Sequence, residues 1–192
     1  MPTGNRSIRN VIFSFAILFS TSAFSVVTEY TLPDAHTVPT ATFITGSTGH
    51  IRVPVSVLSD AKVASADGLV FRFADGSNFS VQTLTDRSTG HAGVNMHTWP
   101  EYLLGLKTKG PEPESYVKDL KLSGEHIIKD SIAPTEIRRF STKNGTGYWA
   151  VGKEKSAIVL TNTDITDQIT VIYTKDMSES KILNTILNGV SL

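Results

Sequence analysis

Two histidines six residues apart, His91 and His97, with Asp86 shortly before them, are the side chains of this sequence best suited to chemistry. An imidazole titrates near neutral pH, so beside a carboxylate it can serve as a general base, and with further donors it can hold a metal ion. Metal sites carried by a helix place His at i and i+4, as in H-E-x-x-H; none of the five histidines is spaced that way, and no metal is expected. The trio leaves hydrolysis open, with His91, His97 and Asp86 drawn from the stretch 86–97, whose polar, glycine-containing loop covers 86–95. The tetrapeptide Ser-Thr-Gly-His stands at 47–50 and again at 88–91, but the flanks do not repeat and the two read as unrelated surface turns.

Gly147, Gly152 and Lys153 fit most of the phosphate-binding pattern G-x-x-x-x-G-K, yet Glu154 stands where that loop needs a hydroxyl for magnesium. Residues 148–151 also read as strand rather than as a loop wrapped round an anion, so no nucleotide or other cofactor is expected. Ser178 and Lys181 are formally S-x-x-K, but Ser178 opens an amphipathic run and is better explained as a helix N-cap. The aromatic residues suggest recognition instead: Trp99, Tyr102, Tyr148 and Trp149 can line a pocket or anchor an interface. Adjacent side chains on a strand face opposite ways, so at least one of Tyr148 and Trp149 packs on a helix while the other is available to a partner. His91, His97, Trp99 and Trp149 are the candidate binding residues, and no residue is assigned a catalytic role.

The elements that must position these groups are legible in part. Ile51, Val53, Val55 and Val57 alternate with polar or small residues, which predicts a half-buried strand that Pro54 confines to an edge or a bulge. Leu69, Phe71 and Phe73 alternate up to Asp75-Gly76, and Phe79, Val81 and Thr83 resume the alternation, which predicts a hairpin. Thr98-Trp99-Pro100-Glu101 has the form of a capping box opening a helix with Tyr102, Leu103 and Leu106 on one face. A second short helix is expected from Pro113, turning Tyr116, Val117 and Leu120 inward. Beyond Ile127 the pattern predicts strands over 136–140, 148–151, 157–160 and 169–173, joined closely enough to be antiparallel neighbours. A closing helix buries Ile182, Leu183, Ile186, Leu187 and Val190, and Asn188-Gly189 stops it. The fold class is α+β, an antiparallel sheet flanked by two or three helices with the C-terminal helix packed on one face.

Arg6 and Arg9 precede an apolar run over 11–19 and then small residues, the three-part layout of a secretory signal peptide cleaved after Ala23 or Ser25. The run is shorter than the roughly 20 residues that span a bilayer, so no permanent membrane anchor is expected. The organisation reads as a signal peptide over 1–25, an extended Thr/Pro-containing lead-in over 26–48 and one α+β domain over 49–192. The whole chain balances 18 Lys and Arg against 18 Asp and Glu, and those two arginines are the only charges before residue 26, so the mature chain keeps 16 basic and 18 acidic groups. That balance gives no electrostatic footprint for nucleic acid, and the absence of Cys removes disulfides, thiolate metal sites and thiol nucleophiles.

The order of elements, from the Phe71/Phe73 hairpin through the helix at 99–104 and a run of antiparallel strands to the closing Ser178-Glu179 helix, resembles the PsbP-like α/β/α sandwich over about residues 50–190. The resemblance is one of layout without a diagnostic motif. It implies a non-catalytic protein that docks onto a larger assembly. The leading expectation is therefore an exported, periplasmic or secreted, non-enzymatic protein that binds another protein, such as an envelope accessory or a toxin neutraliser. A secreted hydrolase using His91, His97 and Asp86, and a small-ligand-binding protein, are the alternatives.

Overall fold

The computed structural model describes residues 27–33, 38–45, 49–65 and 68–189, so the expected export segment and Val190 lie outside the described residues. The chain runs through β1 (Val27–Glu29), β2 (Thr40–Thr45), β3 (Gly49–Pro54), a single helical turn α1 (Val55–Leu58), β4 (Ala61–Ser65), β5 (Leu69–Phe73) and β6 (Asn78–Thr85). A 3-10 turn at Met96–Thr98 leads into α2 (Trp99–Leu103), then α3 (Glu114–Ser123), which continues as a π-helical stretch, Gly124–Ile132. The remaining elements are β7 (Glu136–Thr142), β8 (Gly145–Val151), β9 (Lys155–Asn162), β10 (Ile165–Lys175), α4 (Glu179–Thr185) and a 3-10 turn at Leu187–Gly189.

Eight strands form one sheet in the order β1-β7-β8-β9-β10-β6-β5-β4, antiparallel throughout except for the parallel pair β1–β7. The strands β2 and β3 form a separate antiparallel hairpin. Both faces of the large sheet are covered. Met96, Trp99, Tyr102, Tyr116, Leu120, Ile128 and Ile132 pack from the helical segment onto Tyr148, Val159 and Val171 of one face. Ile51 and Val53 of the hairpin and Ile182, Ile186 and Leu187 at the C-terminal end pack onto Phe71, Phe79, Trp149 and Ile158 of the other. The α+β class and the C-terminal helix on one face are as the sequence predicts.

The predicted hairpin β5–β6 forms, with Phe71, Phe73, Phe79 and Val81 all buried and Phe71 paired with and stacked on Phe79 at 4.3 Å. Gly76 supplies the positive φ of its turn, at 88°, and Asp75 Oδ1 accepts from the Ser77 backbone N–H at 3.0 Å. Other expectations are corrected. The strand predicted through Val57 ends at Pro54, which pairs with Thr40 as the last residue of the ladder and caps α1, and Val55 is half exposed in that turn. Thr98 makes no side-chain cap; its hydroxyl donates to the Asn95 carbonyl at 3.2 Å, and Asn95 Oδ1 accepts from the His97 N–H at 2.9 Å instead. Gly105, at φ 73°, turns the chain out of the helix after Leu104, and Leu106 lies beyond it, 36% exposed. The helix predicted near Pro113 runs on to Ile132 because Gly124 lets it cross the end of α2, where a Cβ would collide with the Leu103 carbonyl.

Candidate functional site

The loop between β6 and α2 carries the three groups expected to do chemistry, and its own folding engages each in a different way. Asp86 Oδ1 accepts from the Arg87 N–H at 2.6 Å and Oδ2 from the Gly93 N–H at 2.5 Å, so the carboxylate closes the loop on itself. His91 Nε2 lies 3.4 Å from Asp119 Oδ2 of α3, and the ring meets Tyr116 edge-on at 5.0 Å. His97 Nε2 instead contacts the Asn162 carbonyl at the β9–β10 turn. The three side chains share no partner, although the His91 N–H donates to the Asp86 carbonyl at 2.9 Å. Trp99 is buried on the same helical face, whereas Trp149 is fully buried on the opposite face of the sheet. The four predicted binding residues therefore do not assemble one site. No cluster of three or more metal-ligating side chains occurs among the described residues.

Beside this loop the helical layer holds a dense polar knot. The buried Tyr102 hydroxyl donates to Glu112 Oε2 at 2.5 Å, and the Tyr148 hydroxyl donates to Glu101 Oε1 at 3.2 Å. Lys107 Nζ sits 3.7 Å from Glu112 Oε1 and 4.0 Å from Glu101 Oε2, and 5.2 Å from the centre of the Tyr102 ring. Burial, reinforced by Glu112, pushes the Tyr102 hydroxyl up to about 12; burial and Glu101 push Tyr148 up to about 12. Burial opposes the charge on Glu112, but hydrogen bonds led by Tyr102 outweigh it and hold the carboxyl below its usual range. Tyrosines kept protonated against carboxylates kept charged make a structural tie, and its members are already satisfied.

A different arrangement lies on the hairpin face, where β2, β3 and α1 meet the C-terminal end of α4 around a pocket of about 340 Å³. Val38, Pro54 and Val57 form apolar walls, and Arg52, Asn184 and Asn188 bring polar groups to the same space. Arg52 is exposed, because Ile51 and Val53 on either side point inward and the alternation of β3 turns it out. Its side chain makes no ion pair among the described residues. Asn188 Nδ2 donates to Asn184 Oδ1 at 3.5 Å, while Asn188 Oδ1 is enclosed and has no hydrogen-bond partner among them.

The pocket wall that α4 contributes is held from its N-terminal end. Ser178 Oγ accepts from the Lys181 N–H at 3.3 Å, as the N-cap reading predicts. Glu179 receives both terminal nitrogens of Arg138, at 2.7 and 3.3 Å, and Arg138 stacks over Trp149 at 4.8 Å and Tyr30 at 5.0 Å. Lys181 Nζ donates to Asp75 Oδ2 at 2.7 Å, and this bond, with those from Ser77, pulls the Asp75 carboxyl down to about 2. Sequence reasoning passed over this site, although two signals point to it: an Arg in the outward register of β3, and two Asn at i and i+4 on the side of the last helix away from Ile182 and Ile186. Comparison with family models, curated proteins and solved structures finds no match to this chain.

Proposed function

We propose that this chain is an exported, non-enzymatic binding module that recognises another protein, as an envelope accessory or a neutraliser would. The observation that carries the reading is the pocket beside Arg52. A guanidinium, two amides and aliphatic walls are groups that recognise a partner. The layered sheet provides a stiff support, since α4 is tied down at Glu179 and Lys181 before it reaches the pocket. The layout resemblance to PsbP-like proteins, which dock onto larger assemblies, implies the same kind of role. Export rests on the charged, apolar and small-residue order of residues 1–25. No helix among the described residues is long and apolar enough to cross a membrane.

The test is fractionation of the native producer, mass spectrometry of the protein's first residue and co-purification at native abundance and moderate salt. The expected result is a chain beginning at residue 24 or 26 in the extracytoplasmic fraction, bringing down the same partner in independent preparations. Recovery of soluble cytosolic chain that keeps Met1, or of processed chain with no reproducible partner, overturns the reading.

A further inference from the structure

We infer that the open edge of β4 takes up an extended acidic segment of a partner protein, which joins the sheet as a further strand and sets a carboxylate beside Lys62 and Arg72. This surface is separate from the Arg52 pocket and goes beyond the reading that rests on it. The strand β4 ends the sheet order, and no described strand pairs with its outer side. Which backbone groups face outward follows from the neighbouring hairpin. The Phe73 N–H donates to the Ser77 carbonyl at 2.9 Å, so Phe73 and, by alternation, Phe71 and Leu69 turn their backbone groups to β6. Arg72 and Val70 therefore bond to the residues opposite them on β4, Lys62 and Ala64. The N–H and C=O groups of Ala61, Val63 and Ser65 are left on the open side. An extended polypeptide matches such a row with alternating donors and acceptors of its own, which a glycan or a lipid headgroup does not.

Charge and exposure say which segment. Opposed residues of a ladder share a face, so Lys62 and Arg72 lie side by side, both exposed and without an ion-pair partner among the described residues. The helical layer buries no residue of β4 or β5, so the face on which they lie is open. The same rung continues through Asn78 to Lys175 and Lys155, where Asp176 lies 3.9 Å from the first and Ser131 Oγ 3.3 Å from the second. Its uncompensated end is the one at β4. On the other face Val63, opposite Phe71, is 44% exposed. A strand with an acid opposite Lys62 and an aliphatic residue opposite Val63 meets both through its ordinary alternation. A second copy of this chain does not. Antiparallel self-pairing centred on Val63 sets the two Lys62 side chains on a diagonal about 7–8 Å apart, with Arg72 behind each and no acid between. A lysine on an edge strand discourages indiscriminate pairing, and an acidic segment turns that repulsion into attraction.

The test uses the mature chain, labelled with ¹⁵N, and the blocked peptide acetyl-Thr-Glu-Val-Glu-Thr-amide, which reads the same in both directions and so serves either strand orientation. The control peptide has Gln in place of Glu. Amide hydrogen exchange is followed on titration at low salt. The expected result is a saturable slowing at Ala61, Val63 and Ser65, at an affinity about fivefold above that of the control and converging on it as salt is raised. In the double variant Lys62→Gln, Arg72→Gln the two peptides bind alike. Val63→Pro removes an N–H on the open side only, which an edge strand tolerates, and binds neither peptide. Equal affinity in the wild type, no saturable slowing at these amides, undiminished discrimination in the double variant, or binding by a folded Val63→Pro overturns the inference. Should Val63→Pro fail to fold, the free wild-type chain decides: exchange is expected to be fast at Val63 and slow at Lys62 and Ala64, and the reverse pattern overturns the inference. Sedimentation as a dimer with no response to peptide also overturns it, in favour of a second copy. Failure of the peptides while a partner still co-purifies removes this edge and leaves the binding-module reading standing; loss of the partner from wild-type preparations removes that reading instead.

Discussion

The helical face and the hairpin face of the sheet differ in the charge they leave beside a pocket. On the helical face Glu101, Lys107 and Glu112 join Tyr102 and Tyr148 in one polar network, and His91 is paired with Asp119. On the hairpin face Arg138 is paired with Glu179 and Lys181 with Asp75, while Arg52 stands exposed at the edge of an apolar pocket. Most of the first set falls within residues 91–119, and Tyr148 is supplied by one strand; the second is drawn from residues 38–57 and 184–188. Polar groups that a short stretch of chain gathers are readily consumed in holding that stretch together. Groups brought side by side by the tertiary fold are consumed as well where charges meet, as Lys181 is by Asp75 and Arg138 by Glu179, and Arg52 is left where no acid pairs with it among the described residues.

The contrast can be broken or sharpened by substitution. Trp149→Ala should have the largest effect, a loss of about 3–5 kcal/mol in chemical denaturation, because the indole fills the middle of the hairpin-face core under Arg138 and Tyr30. A variant of near-native stability that lost only partner binding would instead make Trp149 an interface anchor. Glu112→Ala should cost about 1–3 kcal/mol, since it strands the fully buried Tyr102 hydroxyl without its acceptor. If its stability were unchanged, the polar knot would not be the structural tie that sets the helical face apart.

Asp75→Asn tests the clasp that steadies the pocket wall. With its carboxyl held near 2 against an ordinary 3.8, the Asp75–Lys181 pair stabilises the fold above the ordinary value, and that contribution is lost as pH falls from about 4 towards about 2. The Asn variant should show a lower melting temperature at neutral pH and a shallower acid limb, the two curves converging near pH 2. Parallel curves across that range would mean the pair does not couple to folding. Smallest of all, Arg52→Gln should leave stability within about 0.5 kcal/mol of wild type, because an exposed side chain without a partner holds nothing in place. A larger loss in thermal or urea unfolding would place Arg52 among the structural charges and remove the contrast with Glu112.

Much of the sheet was readable because its signals are local. Alternation fixed Phe71, Phe73, Phe79 and Val81 as inward residues, and the Asp75-Gly76 turn set their pairing. The edge strand β4 left no such trace, for four of its five residues are exposed and nothing alternates. The length of the α3 helix was hidden by Gly124, which reads as a breaker in isolation and proves to be a point of close approach to α2. At the site, the sequence identified groups capable of chemistry but not their partners. His91, His97 and Asp86 are near one another in the chain, yet Asp119, Asn162 and the loop's own N–H groups claim them separately. The pocket joins Arg52 to Asn188 across more than a hundred residues, a juxtaposition that no spacing rule reports.

The claim that recognition resides at Arg52 rather than in the histidine loop is tested most directly by comparing two variants for retention of the co-purifying partner. The account predicts that the double variant His91→Ala, His97→Ala retains the partner at wild-type yield while Arg52→Gln loses it. Loss in the double variant with retention in Arg52→Gln would contradict the account.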